Sequence, residues 1–230
     1  MERNPRATVK SSSKSLTHEV IAEAAVAILK RDGPDSLSFR KVGEVLGVSH
    51  VTVYRRCGSF DGLLDICADH VAAGFPRIDG TVDWATATEF RFYAAYEMWA
   101  AHADLVLLMR GRAWLGKNMM SRFHEPAMRS ILDAGMSPGE AQDFFSVLYR
   151  FTIGSVIAIS ANPWTSWESR QAVERLGADQ FPALATVSRE VDYSDIHGVF
   201  RNTLRRLTVI LGPQGRAGQP AQRAIALGGR

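Results

Sequence analysis

The sequence predicts an all-α fold, and three observations carry that reading. Helix caps follow one another densely through the first seventy residues, longer amphipathic segments with helical period fill the chain beyond Gly74, and sustained period-two alternation is absent. The change of punctuation near Gly74 separates a front of short helices from a larger helical body.

Each element has its own signal. Thr17 caps a first helix whose apolar face runs Ile21, Ala24, Ala25, Ile28 and Leu29, with Glu19 where the helix dipole favours an acid. Asp32-Gly33-Pro34 ends it, Gly33 as a left-handed C-cap. Ser38 caps a second helix to Leu46, and Gly47 makes the turn. Ser49 caps a third from His50 to about Arg56. Ser59 caps a fourth, a linking helix over 59–73. In the body, Asp83 starts an aromatic-rich helix to about His102, and a short helix follows at Leu105 to Arg110. One from Lys117 to Ala134 is expected to bend at Pro126. Ser137-Pro138-Gly139-Glu140 is a capping box with proline at the first helical position, opening a helix to about Ser160. Asn162-Pro163-Trp164 breaks the pattern, Trp167 to Leu176 reads as less regular, and a last helix runs from about Tyr193 to Leu211.

Composition narrows the function. The chain of 230 residues can bury a substantial core without metal or disulfide, and its 2 cysteines, Cys57 and Cys67, form no bridge framework or zinc spacing. No cofactor is expected, and the compartment expected is the cytoplasm. The first fourteen residues are polar and basic, unlike a secretory signal, and Phe151 to Ala161 is too short an apolar run to span a bilayer. Charge is uneven: residues 1–60 hold 10 Lys/Arg against 6 Asp/Glu, residues 61–211 hold 14 against 18, and the tail from 212 holds 3 against 0. A basic front on an acidic body suggests that the front meets a polyanion. The arm 1–14, with Arg3, Arg6, Lys10 and Lys14, and the tail 212–230 read as disordered.

The segment Leu37 to Tyr54 has the mechanics of a helix-turn-helix. Val42, Leu46, Val48 and Val53 fall where two crossed helices meet, and Gly43 leaves room for the second of the pair. The outward residues of that second helix are His50, Val51, Thr52, Tyr54 and Arg55, a mixture suited to base edges and phosphates in a major groove. A plain helical hairpin with a solvated polar face stands as the alternative from spacing alone.

Ala24-Ala25, Gly33, the run Leu37 to Ser49, Val53-Tyr54 and Leu63-Leu64-Asp65 together resemble the DNA-binding domain of the TetR family of transcriptional repressors, over about residues 17 to 70. The body resembles that family's ligand-binding part only in architecture. The resemblance implies an N-terminal three-helix helix-turn-helix DNA-binding domain at 15–60 and a C-terminal helical ligand-binding and dimerisation bundle at 61–211. It implies that Ser38 and Tyr54 hold phosphates while Arg40, His50, Val51 and Thr52 approach bases. Gly58 and Phe60 stand where family members commonly carry lysines, and Arg55 and Arg56 are available to replace those contacts.

One short helix reads too few base pairs to find a site in a genome, so a homodimer on palindromic double-stranded operator DNA is expected. Its candidate faces are Val199, Phe200, Leu204, Leu207 and Ile210 on the last helix, with Phe144, Leu148, Phe151 and Ser155 on the helix from Pro138. A set of aromatic and methionine residues, Phe92, Tyr96, Trp99, Met109, Trp114, Met120, Phe145 and Tyr149, is the candidate pocket for a small apolar or aromatic effector. Arg91, Arg110 and Arg112 are near enough in sequence to meet an acidic group on it. Two other readings remain open at this point. An enzyme is one, although no nucleophile elbow, phosphate loop or metal-spaced histidine pair is present. A helical ligand-binding or adaptor protein without operator binding is the other.

Overall fold

The structure, a computed structural model, describes residues 16–78, 82–110, 112, 114–161, 166–190 and 195–213. The expected basic arm, all but the first two residues of the expected tail, the break at Asn162-Pro163-Trp164 and the expected start at Tyr193 lie outside the described residues.

Among the described residues every regular element is helical. The front comprises α1 (His18–Asp32), α2 (Phe39–Leu46) and α3 (His50–Cys57), and α4 (Phe60–Ala72) leads into the body. The body comprises α5 (Trp84–Ala100), α6 (Ala103–Met109), the single turn α7 (Lys117–Met119), α8 (Glu125–Asp133), α9 (Pro138–Ala161), α10 (Ser166–Leu176), α11 (Pro182–Glu190) and α12 (Ile196–Leu211).

The caps act as their residue types dictate. Thr17, Ser38, Ser49 and Ser59 each accept a hydrogen bond from the amide three residues on. At the capping box, the Ser137 amide donates to Glu140 Oε2 at 3.1 Å and the Glu140 amide donates back to Ser137 Oγ at 3.4 Å.

Four details differ from expectation. The distortion near Pro126 comes earlier, as a wide π turn over Met120–His124 between α7 and α8. Proline lacks the N–H that would bond four residues back and its ring crowds that turn, so the helix widens before it. The stretch expected to be irregular is helix α10, and a further helix, α11, begins at Pro182. A short 3-10 turn, Pro34–Ser36, sits between α1 and α2. Gly33 takes φ 80 and ψ 175, outside the left-handed helical region.

One continuous core joins front and body. Ile21, Ala25 and Ile28 of α1 pack with Val42, Val53 and the α4 residues Leu63, Leu64 and Cys67, and the same cluster continues through Val71 and Phe75 to Phe92, Trp99 and Leu148. Helix α5 lies against α9 and α12. Phe144, Leu148, Phe200 and Leu204, expected at a dimer interface, are instead buried within the chain at 3%, 0%, 3% and 1% exposure. The period that places Phe200 and Leu204 inward on α12 turns Val199, Val209 and Ile210 outward, where they are exposed.

Gly43 fixes how closely α2 and α3 approach. A Cβ there would stand 2.7 Å from the Val48 carbonyl oxygen and 3.2 Å from the His50 amide nitrogen, backbone atoms that cannot rotate away. Alanine would gain about 1 kcal/mol of helix propensity, while overpacking costs about 1–3 kcal/mol, and the rigidity of the contact decides for the cost. Gly43→Ala is expected to lower stability by a net of up to ~2 kcal/mol in a urea titration. An increase would show that the turn has room.

Candidate nucleic-acid interface and effector core

Helix α3 is almost wholly outward. Of its eight residues only Val53 is buried, and His50, Val51, Thr52, Tyr54 and Arg55 are exposed. It starts where the Gly47 turn ends, with the Val48 amide donating to the Gly43 carbonyl at 2.9 Å and Ser49 Oγ within 2.8 Å of Thr52 Oγ1. From α1, His18 Nε2 donates to the Arg56 carbonyl at 3.0 Å and so closes the other end of α3.

The structure also places the residues ahead of the turn. Ser38 is exposed and occupied as the α2 cap. Arg40 is 83% exposed and bridges to Glu44 at 2.9 Å, a surface pair worth only about 0.3–0.5 kcal/mol and readily exchanged for a stronger anion. Phe39, which sequence reasoning passed over, stands edge-on to the Tyr54 ring at 5.5 Å and to Phe60 at 6.3 Å. Tyr54 is thus propped with half its surface outward. Gly58 and Phe60, which replace the expected lysines, have work of their own. Gly58 ends α3 with φ 77, a conformation L side chains resist, and Phe60 backs Phe39.

Helix α4 carries two polar clamps onto the body. Asp69 Oδ1 accepts from the Asn118 amide at 2.7 Å and the Met119 amide at 3.3 Å, and Oδ2 accepts from Asn118 Nδ2 at 3.1 Å. Those amides are the second and third of α7, the ones a local N-cap would satisfy, so α4 caps α7 from across the chain. Arg112 places one nitrogen 2.8 Å from Asp65 and the other 2.9 Å from Asp61. Arg112 is therefore committed to α4 and Arg110 is exposed, so neither joins the aromatic set.

The aromatic residues divide into two groups. Trp99 and Trp114 are in contact at 3.9 Å, Trp114 reaches Tyr149 at 6.4 Å, Tyr149 stacks on Phe145 at 5.9 Å, and Phe145 meets Phe92 at 5.6 Å. Tyr96 belongs elsewhere, stacked on Phe200 at 4.0 Å, with Phe151 on Phe200 at 4.9 Å. Met109 is fully buried. Met120 is not part of the core: it is 43% exposed, and Met119 at 1% takes the inward position, since neighbours on a helix point about 100° apart.

The structure adds Phe123 and His124, which lie 5.8 and 5.3 Å from Phe145. The indole nitrogens of Trp99 and Trp114 find no hydrogen-bond partner among the described residues, and neither does the Tyr96 hydroxyl. Each such group costs about 1–3 kcal/mol when left unpaired. Burial pushes His124 below the usual histidine range, with the Met119 carbonyl opposing, and keeps the ring neutral at pH 7. Burial likewise pushes the Tyr149 hydroxyl up to about 12.

Residues 75–210 match the family model described as "Tetracyclin repressor-like, C-terminal domain". The chain belongs to the tetracycline-repressor family of ligand-responsive transcriptional regulators. Its body matches that model, and its fold matches solved members along the whole front and body. The Streptomyces coelicolor TetR family protein ActR, solved in complex with actinorhodin, superposes with a TM-score of 0.75 at 26% identity, covering 89% of this chain and 99% of that one. The tetracycline repressor protein class A from transposon 1721 of Escherichia coli is 26% identical over 165 residues, 70% of this chain and 74% of its own length. The repressor DrrR1 of Streptomyces coeruleorubidus is 26% identical over 143 residues, and the match spans 61% of this chain and about half of DrrR1, 53%. These relatives are regulators, not enzymes. No helix among the described residues is long and apolar enough to cross a membrane.

Asp69→Ala removes the cap on α7 and is expected to cost about 1–2 kcal/mol of stability. Hydrogen exchange should speed up at Asn118 and Met119, and unchanged protection there would show that α7 holds itself.

Proposed function

We propose that the protein is a repressor that sits on a palindromic operator as a homodimer and is released by a small apolar or aromatic effector. The observation that carries the reading is the exposed α3, held off the body by Val53 and the Gly43 contact with polar residues along its free face. In this reading His50, Val51 and Thr52 approach base edges, Arg40 reaches bases or phosphate, and Ser38, Tyr54 and Arg55 hold phosphates. Residues 15–60 form the DNA-binding unit, 61–211 the effector and dimer unit, and 59–73 the link between them.

The second copy docks on the outward faces of α9 and α12. On α9, Val147, Gly154 and Ala158 lie at helical spacing on an exposed face, and on α12 so do Val199 and Ile210. The effector enters the aromatic core around Trp99, Trp114, Phe145 and Tyr149, where unpaired indole nitrogens give a flat ligand hydrogen-bonding partners. ActR, solved with actinorhodin, supports a bound small molecule in the matching body. Trp114 is close in sequence to both Arg112 and α7, so a ligand that displaces it disturbs both clamps on α4 and moves α3. By linkage, operator DNA must weaken the effector by the factor by which the effector weakens DNA. A protein built this way works in the cytoplasm.

Three variants test the role assignments. His50→Ala and Thr52→Ala are expected to cost about 1–3 kcal/mol on the selected operator and to relax preference at particular base pairs. Tyr54→Ala should weaken operator and random duplex alike. Fluorescence anisotropy with both duplexes reads the difference, and parallel losses for all three variants would contradict it. Absence of salt-dependent DNA binding by the wild-type chain would return the protein to a ligand-binding adaptor.

A further inference from the structure

A notch of about 590 Å³ opens between the first half of α5 and α8, on a face of α5 beside the one that meets the aromatic core. Trp84, Ala87 and Arg91 recur at helical spacing along one face of α5 and line it, whereas Phe92 and Trp99 meet the rings of the core. Ile78, Val82 and Trp84 form its apolar wall.

Arg91 is the unusual group. It is 6% exposed, and its Nε and Nη1 have no hydrogen-bond partner among the described residues. Burial pushes its guanidinium below the ordinary arginine range, with no carboxylate among the described residues acting against that fall. The acids across the notch are committed elsewhere. Glu125 lies 2.6 Å from Arg129, and Asp133 adds to the field on the same Arg129. A buried cation without a counter-ion is costly, and the planar fork of arginine matches a carboxylate in two parallel hydrogen bonds.

We propose that this notch binds a small organic monocarboxylate, with Arg91, whose Nε and Nη1 are closed off from solvent in this structure, turning its guanidinium into the notch to hold the carboxylate and the wall of Ile78, Val82 and Trp84 holding the apolar part. A dianion fits less well, because Glu125 and Asp133 stand at the rim and Arg91 is the cation left uncommitted there. The site is separate from the aromatic core. It also touches α8 directly after the π turn that carries Phe123 and His124 into that core, so its occupant would brace the segment that follows that turn.

Isothermal titration calorimetry on the full chain without DNA tests this, with benzoate, benzamide and inorganic phosphate as probes. Benzoate is expected to bind saturably, and benzamide and phosphate at least about tenfold more weakly. Arg91→Met should weaken benzoate by about tenfold or more, and Arg91→Lys, which keeps the charge but not the fork, should fall between. Should the Arg91 variants fail to fold, Ser130→Trp, which fills the notch from its rim, is expected to abolish the benzoate heat by itself. Benzoate binding unchanged in Arg91→Met or in Ser130→Trp, equal binding of benzamide, tighter binding of phosphate, or no saturable heat with benzoate would each overturn the proposal. The readout contains no operator, so it is independent of whether DNA binding holds.

Discussion

Helix α4 is the element on which the rest depends, because it is packed on both sides. Its residues Leu63, Leu64, Cys67, Ala68, Val71 and Ala72 are buried, those facing α1 and α3 and those facing the body belonging to one cluster. A fully buried leucine contributes about 1.5–3 kcal/mol, whereas an exposed ion pair such as Arg112 with Asp61 contributes about 0–1 kcal/mol. The apolar contacts therefore supply the energy that keeps front and body together. The polar clamps at Asp69 and Arg112 supply register: they define which turn of α4 meets α7 and Arg112.

Helix α3 illustrates the opposite economy of contacts. Eight residues are too few for a stable helix in water, and only one of these is buried. Its shape is imposed from outside by the Ser49 cap, the closing bond from His18 and the Gly43 approach. Such a helix can leave nearly its whole surface free for a partner without unfolding. The Phe39–Tyr54–Phe60 cluster follows the same logic, using α2 and α4 to hold one aromatic ring in place, and it gives Phe60 a role at a position where the resemblance led to an expected lysine.

Local chemistry was legible in the sequence and long-range chemistry was not. Thr17, Ser38, Ser49, Ser59 and Ser137 declared their helices because a cap bonds three residues away, and the outward set on α3 followed from period alone. Helix α11 was missed although Pro182 signals a start; its large apolar residues, Leu184 and Val187, face outward and the small Ala185 and Ser188 face inward. Met120 was grouped with the candidate pocket by residue type alone, and the structure turns it outward while Met119 faces in. Asp69, some fifty residues from Asn118, could not be distinguished from a solvated acid by any local pattern. Arg91 looked like a partner for a core ligand, and only the fold shows that it lines a different cavity. The division of the aromatics into a Trp99–Tyr149 group and a Tyr96–Phe200 stack likewise depends on how α5 lies between α9 and α12.

The central claim is that α4 holds each α3 at one setting relative to the body, so that two copies present their reading helices at a fixed separation. Selection of bound duplexes from a random DNA pool by the full-length protein tests it most directly. The account predicts one enriched inverted repeat with a single spacing, its half-site centres about one helical turn, roughly 34–36 Å, or a multiple of that apart. Enrichment of a lone half-site, a spread of spacings, or no enrichment at all would contradict it.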